Sequence, residues 1–288
     1  MPVAPFFIAE VSSNHARDQD RCRAFIQKAA EVGCDAVKFQ LFRIDELFAP
    51  EILAKSEDHR RRKDWELPVS FLPALKSACV ESGIQFSCTP FYLDAVGELE
   101  PYVDFYKIAS YELPWDDLIA ACARTGKPLV LSTGMATLEE IRHAVTVFRA
   151  NGGKDLTLLH CVSGYPVKAE DCNLAAIKTI HDVTGVPVGW SDHSRDPAVV
   201  SRATSHWGAP MVEFHLDLEG EGAEYAAGHC WLPDEIAAVI ADGRRGLLAD
   251  GTGVKAPTPA EIDDRPWRAD PSDGLRPTLA VRKQWQTK

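Results

Sequence analysis

The chain has 288 residues, with 31 lysine and arginine residues against 42 aspartate and glutamate residues, so its formal net charge is −11. An acidic chain without a basic stripe is not expected to bind nucleic acid. No apolar run approaches the ~20 residues that cross a bilayer, and the first residues lack the basic region of a signal peptide. The eight cysteines are scattered, without the paired spacing of a metal knuckle. We therefore expect a cytoplasmic protein with reduced thiols that binds no membrane.

Short apolar runs alternate with longer helical patterns along the chain. Eight runs predict strands, at 6–11, 35–40, 84–89, 105–110, 129–133, 156–162, 186–191 and 212–216. Helical patterns lie between and after them, at 21–32, 71–82, 116–124, 138–150, 174–183, 198–207 and 234–248. Strands that are apolar on both faces and separated by helices form parallel sheets covered by helices.

Eight such units in series predict a closed (β/α)₈ TIM barrel of the α/β class. An open doubly wound sheet is the competing fold, but no glycine-rich turn follows the first strand. We expect residues 1–250 to form a catalytic barrel domain and residues 251–288 to form a short, irregular tail rich in proline and charge.

Polar residues lie at the same end of all eight predicted strands, where barrels of this class carry their active sites. A polar side chain inside an apolar strand is costly unless it is paired or used. Because side chains alternate along a strand, Lys38 and Gln40 are expected to point to the same side. The strand ends therefore predict one polar site at the carboxyl end of the barrel.

Eight segments, in chain order, resemble the strand-end motifs of the N-acetylneuraminate (sialic acid) synthase family: IAEVSSNH, GCDAVKFQLF, FSCTPF, DFYKIASYEL, KPLVLSTGMATLEEI, LLHCVSGYPVKAEDCNL, VGWSDHS and EFHLDL. The resemblance implies that phosphoenolpyruvate condenses with an aldehyde-form N-acylated amino sugar, N-acetylmannosamine or a relative. The products would be phosphate and a nine-carbon 2-keto sugar acid. It also implies a homodimer.

Lysines and hydroxyls at the strand ends suit a phosphate and an adjoining carboxylate, because charged hydrogen bonds are the strong ones. The alternative is that the lysines are buried ion-pair partners and the hydroxyls are strand-end caps. The resemblance implies catalytic roles for Glu10, Lys38, Lys107, His193 and His215. It implies substrate contacts for Gln40, Thr89, Ser110, Glu112, Ser132, Ser163, Tyr165 and Ser191.

Two histidines end consecutive strands, and each lies beside a carboxylate. Imidazole nitrogens suit a divalent first-row ion whose remaining ligands are water and substrate oxygens. In the resembling family the positions of His193 and His215 hold such an ion, Mn²⁺ by expectation, with Mg²⁺ or Co²⁺ as alternatives. Glu10 is expected nearby, either ordering a water or moving a proton; a structural carboxylate paired with a lysine is the alternative.

The region after the eighth strand departs from the family pattern. Glu224 is a candidate for the acid that contacts the sugar, and His229 is an alternative residue facing it. Family members commonly carry a C-terminal antifreeze-like domain that supplies an arginine to the partner's site. Residues 251–288 resemble only its linker, so we expect this arginine to be either absent or replaced by Arg276 or Arg282.

Two other functions remain open from the sequence. A lysine at a strand end, Lys38 or Lys107, would also suit a Schiff-base aldolase. A barrel without a substrate-closing domain would also suit a non-catalytic binding subunit in polysaccharide assembly.

Overall fold

The computed structural model describes residues 4–286. Its eight strands are β1 Phe6–Glu10, β2 Ala36–Leu41, β3 Gln85–Pro90, β4 Phe105–Ile108, β5 Leu129–Ser132, β6 Leu156–Cys161, β7 Val188–Asp192 and β8 Met211–His215. Its α-helices are α1 Gln19–Glu31, α2 Ile44–Leu47, α3 Pro50–Lys55, α4 Glu57–Arg61, α5 Leu72–Ser82, α6 Leu93–Leu99, α7 Asp116–Arg124, α8 Leu138–Ala150, α9 Ala176–Thr184, α10 Pro197–Ser205, α11 Ala223–Ala226, α12 Pro233–Asp250 and α13 Leu279–Gln286.

The eight strands form a closed barrel in the order β1 to β8, and β8 pairs with β1. Every strand pair is parallel. The (β/α)₈ barrel expected from the sequence is therefore confirmed, and the observed strands overlap all eight predicted runs.

Local sequence signals start and end the helices that surround the barrel. The Asp18 side chain accepts hydrogen bonds from two backbone N–H groups at the start of α1, and Thr137 with Glu140 forms a capping box at α8. Gly83 and Gly185 end α5 and α9 with φ values of 71° and 65°, which residues with a Cβ rarely adopt. These caps fix the residues at which the helices begin and end.

The barrel interior is layered along the strands. Its lower layer is an apolar cluster of Ile8, Ala36, Phe105, Val130 and Leu159. The residues two positions further along the same strands, which face the same way, are Glu10, Lys38, Lys107, Ser132 and Cys161. The period of the strands thus places charges and hydroxyls directly above an apolar plug.

One glycine shows how tightly the plug is packed. A Cβ at Gly189 of β7 would lie 2.3 Å from the Met211 backbone oxygen and 2.7 Å from Leu159 Cδ2. Only glycine fits there, because the neighbouring atom is backbone and has no room to move.

The described residues divide between Leu247 and Leu248 into two compact units. The second unit carries the helix α13, and its Arg282 guanidinium makes an ion pair of 2.6 Å with Asp273. Asp270 in the same unit accepts a hydrogen bond from the Leu279 backbone N–H at the start of that helix. Among residues 4–286, no helix is long and apolar enough to cross a membrane.

Candidate active site

Four buried ionisable residues form a charge network above the apolar plug: Glu10, Lys38, Lys107 and Glu213, each no more than 5% exposed. Glu10 is level with Lys38 in β2 and with His215 in β8. Lys38 Nζ lies 2.5 Å from Glu10 Oε2 and 3.8 Å from Glu213 Oε2, and Lys107 Nζ lies 3.4 Å from Glu213 Oε1. Gln40 donates to Glu10 Oε1 at 2.5 Å, so Lys38 and Gln40 reach the same carboxylate, as their spacing predicted.

The two lysines therefore have carboxylate partners, which is the ion-pair alternative that the sequence left open. Burial lowers the pKa of Lys38, but the carboxylates of Glu10 and Glu213 outweigh burial and raise it. Burial raises the pKa of Glu213, but the two lysines outweigh burial and lower it. Burial dominates at the other two residues, raising the pKa of Glu10 and lowering that of Lys107. The pKa shifts of Lys38 and Glu213 are thus towards the charged form, and those of Glu10 and Lys107 are towards the neutral form.

Strand-end hydroxyls lie beside this network. Thr89 Oγ1 accepts from Lys38 Nζ at 3.3 Å, and Ser191 donates to Glu213 Oε1 at 3.2 Å. Ser132 Oγ and Ser163 Oγ are buried and have no hydrogen-bond partner among residues 4–286. An unsatisfied buried hydroxyl is costly, so these two hydroxyls are available to donate to a bound water or ligand.

Gly134 adds a backbone N–H to this set of strand-end hydroxyls. Its N–H donates to Ser110 Oγ at 3.0 Å. A Cβ at this position would lie 2.4 Å from Ser163 Oγ and 2.8 Å from Ser110 Oγ. Sequence reasoning did not assign Gly134 to the site, although its place between strand-end hydroxyls in the LSTGMA motif was a usable signal.

Glu112 adds a further acid on the short turn after β4. Burial raises its pKa to about 7, against the opposing effect of the nearby Lys107 charge. Its Oε2 atom is buried without a hydrogen-bond partner among residues 4–286. A carboxyl group that is half protonated near neutral pH can accept an anionic ligand by taking up a proton.

Three histidine rings and one tyrosine ring gather at the ends of β7 and β8. The His193 and His215 centroids are 5.4 Å apart, and those of His215 and His229 are 4.6 Å apart. Tyr165 packs on His193 at 4.1 Å. His193 Nδ1 lies 2.9 Å from the Val162 carbonyl, and this contact requires Nδ1 to be the protonated donor.

The two aspartates close in sequence to His193 and His215 accept hydrogen bonds from other parts of the structure. Asp192 accepts hydrogen bonds from the indoles of Trp190 and Trp231 at 3.0 and 2.9 Å. Asp217 accepts from the backbone N–H groups of Glu219 and Gly220 at 3.0 and 2.7 Å. Both residues therefore hold loops in place.

Glu224 reaches the histidines from the loop after β8. Its Oε1 accepts hydrogen bonds from the backbone N–H and the hydroxyl of Ser13. Its Oε2 lies 4.0 Å from His215 Nδ1. The structure thus brings this predicted residue, whose alignment with the family was ambiguous, to the site.

Comparison with known proteins identifies the family of this chain. The model of the NeuB family matches residues 25–255. The chain belongs to this family. An uncharacterized protein of Methanocaldococcus jannaschii is 38% identical over 90% of this chain and 75% of its own length. The N,N'-diacetyllegionaminic acid synthase of Legionella pneumophila is 31% identical over 90% of this chain and 77% of its own length.

A solved structure of the same kind matches the fold. It is the N-acetylneuraminic acid (sialic acid) synthetase of Leptospira borgpetersenii serovar Hardjo-bovis, which is 28% identical to this chain. The match covers 99% of this chain and 93% of that chain, with a TM-score of 0.80. The family resemblance predicted from the strand-end motifs is therefore confirmed.

Proposed function

We propose that this NeuB family chain condenses phosphoenolpyruvate with an aldehyde-form N-acylated amino sugar. The products are phosphate and a nine-carbon 2-keto sugar acid. The observation that carries the proposal is that two buried lysines and two hydroxyls without hydrogen-bond partners among the described residues lie at the same end of the barrel. Such a set suits an anion with several oxygens, because charge-assisted hydrogen bonds are about twice as strong as neutral ones.

Anion binding has to overcome the carboxylates that already accompany the lysines. Glu10 and Glu213 balance the charges of Lys38 and Lys107, so the network holds little excess positive charge. Proton uptake by Glu10 or Glu112, whose pKa values are raised by burial, frees positive charge for the substrate. The Ser110 hydroxyl, whose oxygen already accepts from the Gly134 N–H, is a neutral donor that needs no such adjustment.

The proposed reaction forms one carbon–carbon bond and breaks one carbon–oxygen bond. C3 of phosphoenolpyruvate bonds to the aldehyde carbon, whose oxygen takes up a proton. Water adds to C2, and the C2–O bond then breaks, so phosphate leaves with the bonding electrons and C2 becomes a ketone. One proton of the water ends on the new hydroxyl and the other on phosphate. Glu10 is the proposed proton carrier, because burial raises its pKa and it lies level with His215.

We propose that His193 and His215, whose ring centroids are 5.4 Å apart, bind a divalent ion, Mn²⁺, with Mg²⁺ or Co²⁺ as alternatives. The Val162 carbonyl engages His193 Nδ1 and leaves the other ring nitrogen free to act as a ligand. His215 Nδ1 is buried without a hydrogen-bond partner among the described residues. When bound, the ion would polarise the aldehyde as a Lewis acid.

The acceptor sugar is proposed from the relatives. The names of the Legionella and Leptospira proteins refer to sugar acids of the sialic and legionaminic type. We propose that Tyr165, Glu224 and His229 face the acceptor, since they lie around His215 at the mouth.

The decisive assay measures phosphate release from phosphoenolpyruvate with N-acetylmannosamine and related hexosamines, with and without Mn²⁺, followed by the mass of the keto-acid product. A metal-dependent, acceptor-dependent release is expected. Full activity in a His193→Ala/His215→Ala double variant would refute the metal role. If calorimetry detected phosphoenolpyruvate binding while no aldehyde gave turnover, the non-catalytic binding subunit would replace the synthase.

A Schiff-base aldolase is the second candidate, because burial lowers the pKa of Lys107 and so favours its nucleophilic neutral form. Borohydride trapping of a substrate on Lys107 or Lys38, together with metal-independent turnover, would select the aldolase.

A cytoplasmic homodimer remains a prediction. Light scattering of the purified chain tests whether the chain forms a dimer.

A further inference from the structure

The loop between β8 and α12 returns to the barrel mouth by a short backbone ladder. The Trp231 N–H donates to the His215 carbonyl at 2.8 Å, and the Asp217 N–H donates to the Trp231 carbonyl at 2.9 Å. The Trp231 indole is anchored on buried Asp192. This ladder sets the two residues before Trp231, His229 and Cys230, next to the end of β8.

Four metal-ligating side chains meet at this return, and they are named the mouth cluster here: His215, Glu224, His229 and Cys230. One ligand atom from each residue lies within 4.8 Å of the ligand atoms of all the others. Cys230 is fully buried and His229 is 6% exposed. His215 and Glu224 are partly exposed, with side-chain exposures of 12% and 21%, so the cluster is buried on one side and open on the other.

Three members of the mouth cluster have an unsatisfied polar atom. Within residues 4–286, His215 Nδ1, Glu224 Oε2 and His229 Nδ1 are buried without a hydrogen-bond partner. Glu224 does not turn away, because Ser13 holds its other oxygen and leaves Oε2 4.0 Å from His215 Nδ1. Buried polar atoms left without partners on three neighbouring side chains are the pattern that a missing ligand produces.

We propose that the mouth cluster binds a thiophilic divalent ion, Zn²⁺ or Co²⁺ in preference to Mn²⁺ or Mg²⁺. Two imidazoles, one thiolate and one carboxylate match the ligands of tetrahedral zinc sites, with bonds of about 2.0–2.3 Å. Binding releases the Cys230 thiol proton to solvent. Ions that prefer carboxylate, carbonyl and water oxygens gain nothing from a sulfur ligand.

The mouth cluster differs from the two-histidine site of the proposed function in both membership and chemistry. It includes His215 but not His193, whose Nδ1 is taken by the Val162 carbonyl. Zn²⁺ in the mouth cluster is therefore expected to compete with the ion between the two histidines for the His215 imidazole, and with the acceptor sugar for Glu224 and His229. The inference goes beyond the proposed function, because the cluster needs no substrate to bind its ion.

Cobalt spectroscopy tests the assignment without any activity measurement. The chain is stripped of metal with a chelator, titrated with Co²⁺ and scanned for a thiolate-to-cobalt charge-transfer band in the near ultraviolet. The unaltered chain is expected to give this band at one ion per chain. Cys230→Ser should abolish it, and should weaken Zn²⁺ affinity by more than the roughly 10–100-fold caused by loss of a supporting hydrogen bond.

Cys161→Ser is the matched control, since Cys161 is also a buried thiol but lies 3.9 Å from His193 Nδ1. This control and His193→Ala should keep the band. A band that survives in Cys230→Ser, a band lost in either control, or no band in the unaltered chain would overturn the proposal. His229→Ala provides a second variant that keeps the thiol, and it should weaken Zn²⁺ binding. The spectra require no turnover, so a chain that fails the synthase assay is still expected to show the band.

Discussion

The charge network and the mouth cluster differ in how their polar groups are satisfied. In the charge network every lysine has a carboxylate within 3.4 Å, supplied by side chains that regular strands fix. In the mouth cluster the His215–Glu224 separation is 4.0 Å and three polar atoms have no partner among residues 4–286. The charges of the network are paired within the protein, although Glu10 Oε2 and Glu213 Oε2 also lack a hydrogen-bond partner among the described residues. The mouth cluster has only the longer contact between His215 and Glu224, and we expect a bound ion to complete it.

The largest expected effect comes from breaking the charge network. Lys38→Met leaves the buried carboxylate of Glu10 without its cation. Loss of one partner of a buried ion pair typically costs about 3–5 kcal/mol, and the same change is expected to abolish phosphate release. Urea unfolding measures the free energy of unfolding.

The double variant Lys38→Met/Glu10→Gln separates the two effects. Removal of both charges should restore most of the stability but none of the activity. A stable, fully active Lys38→Met variant would contradict the role of the network in both respects.

Gly134→Ala tests whether the hydroxyl group beside the network is a fitted anion site. The added methyl group must displace Ser163 and Ser110, whose Oγ atoms lie 2.4 and 2.8 Å from the Cβ position. A misplacement of about 1 Å can cost on the order of 100-fold in kcat/KM. The expected result is a loss of this size in kcat/KM for phosphoenolpyruvate.

Gly97→Ala on α6 provides the control, because nothing lies within 4 Å of its Cβ position. It should leave the kinetics unchanged and stabilise the helix by roughly 0.5–1 kcal/mol. Equal kinetic effects at both glycines would remove the argument for a fitted site.

These two regions also show how much the sequence could predict. The alternation of β2 placed Lys38 and Gln40 on one side, and eight strand signals predicted the closed barrel that brings β8 beside β1. The neutralisation of both lysines was only an alternative, because strand period gives a direction but not the partner across the barrel. Cys230 was predicted only as one of eight reduced thiols, because the loop that carries it has no hydrophobic period and its place depends on the Trp231 ladder.

Glu112 predicts a pH dependence confined to the network side. Burial raises its pKa from 4.5 to about 7, so the folded protein keeps a proton that the unfolded chain releases. Its contribution to stability is therefore largest below pH 4.5 and is lost as the pH rises to about 7. If the protonated form binds phosphoenolpyruvate, KM should rise by up to about tenfold per pH unit above 7.

Glu112→Gln should flatten the pH dependence of stability and that of KM for phosphoenolpyruvate, because glutamine does not titrate. Calorimetry in buffers of different ionisation enthalpy should detect proton uptake on phosphoenolpyruvate binding near pH 7, and less of it in the variant. An unchanged KM profile in Glu112→Gln would assign the titration to another group.

Ser13→Ala gives the smallest expected effect, and it acts on the mouth cluster alone. The change removes the hydroxyl that holds Glu224 and keeps the backbone N–H, which lies 3.1 Å from the same oxygen. One hydrogen bond contributes about 0.5–1.5 kcal/mol, so KM for the acceptor sugar should rise by roughly 2–10-fold. KM for phosphoenolpyruvate should stay constant, because the Ser13 hydroxyl that is removed donates to Glu224. A rise in both KM values would mean that the two regions are coupled through Glu10 and His215, which lie level on neighbouring strands.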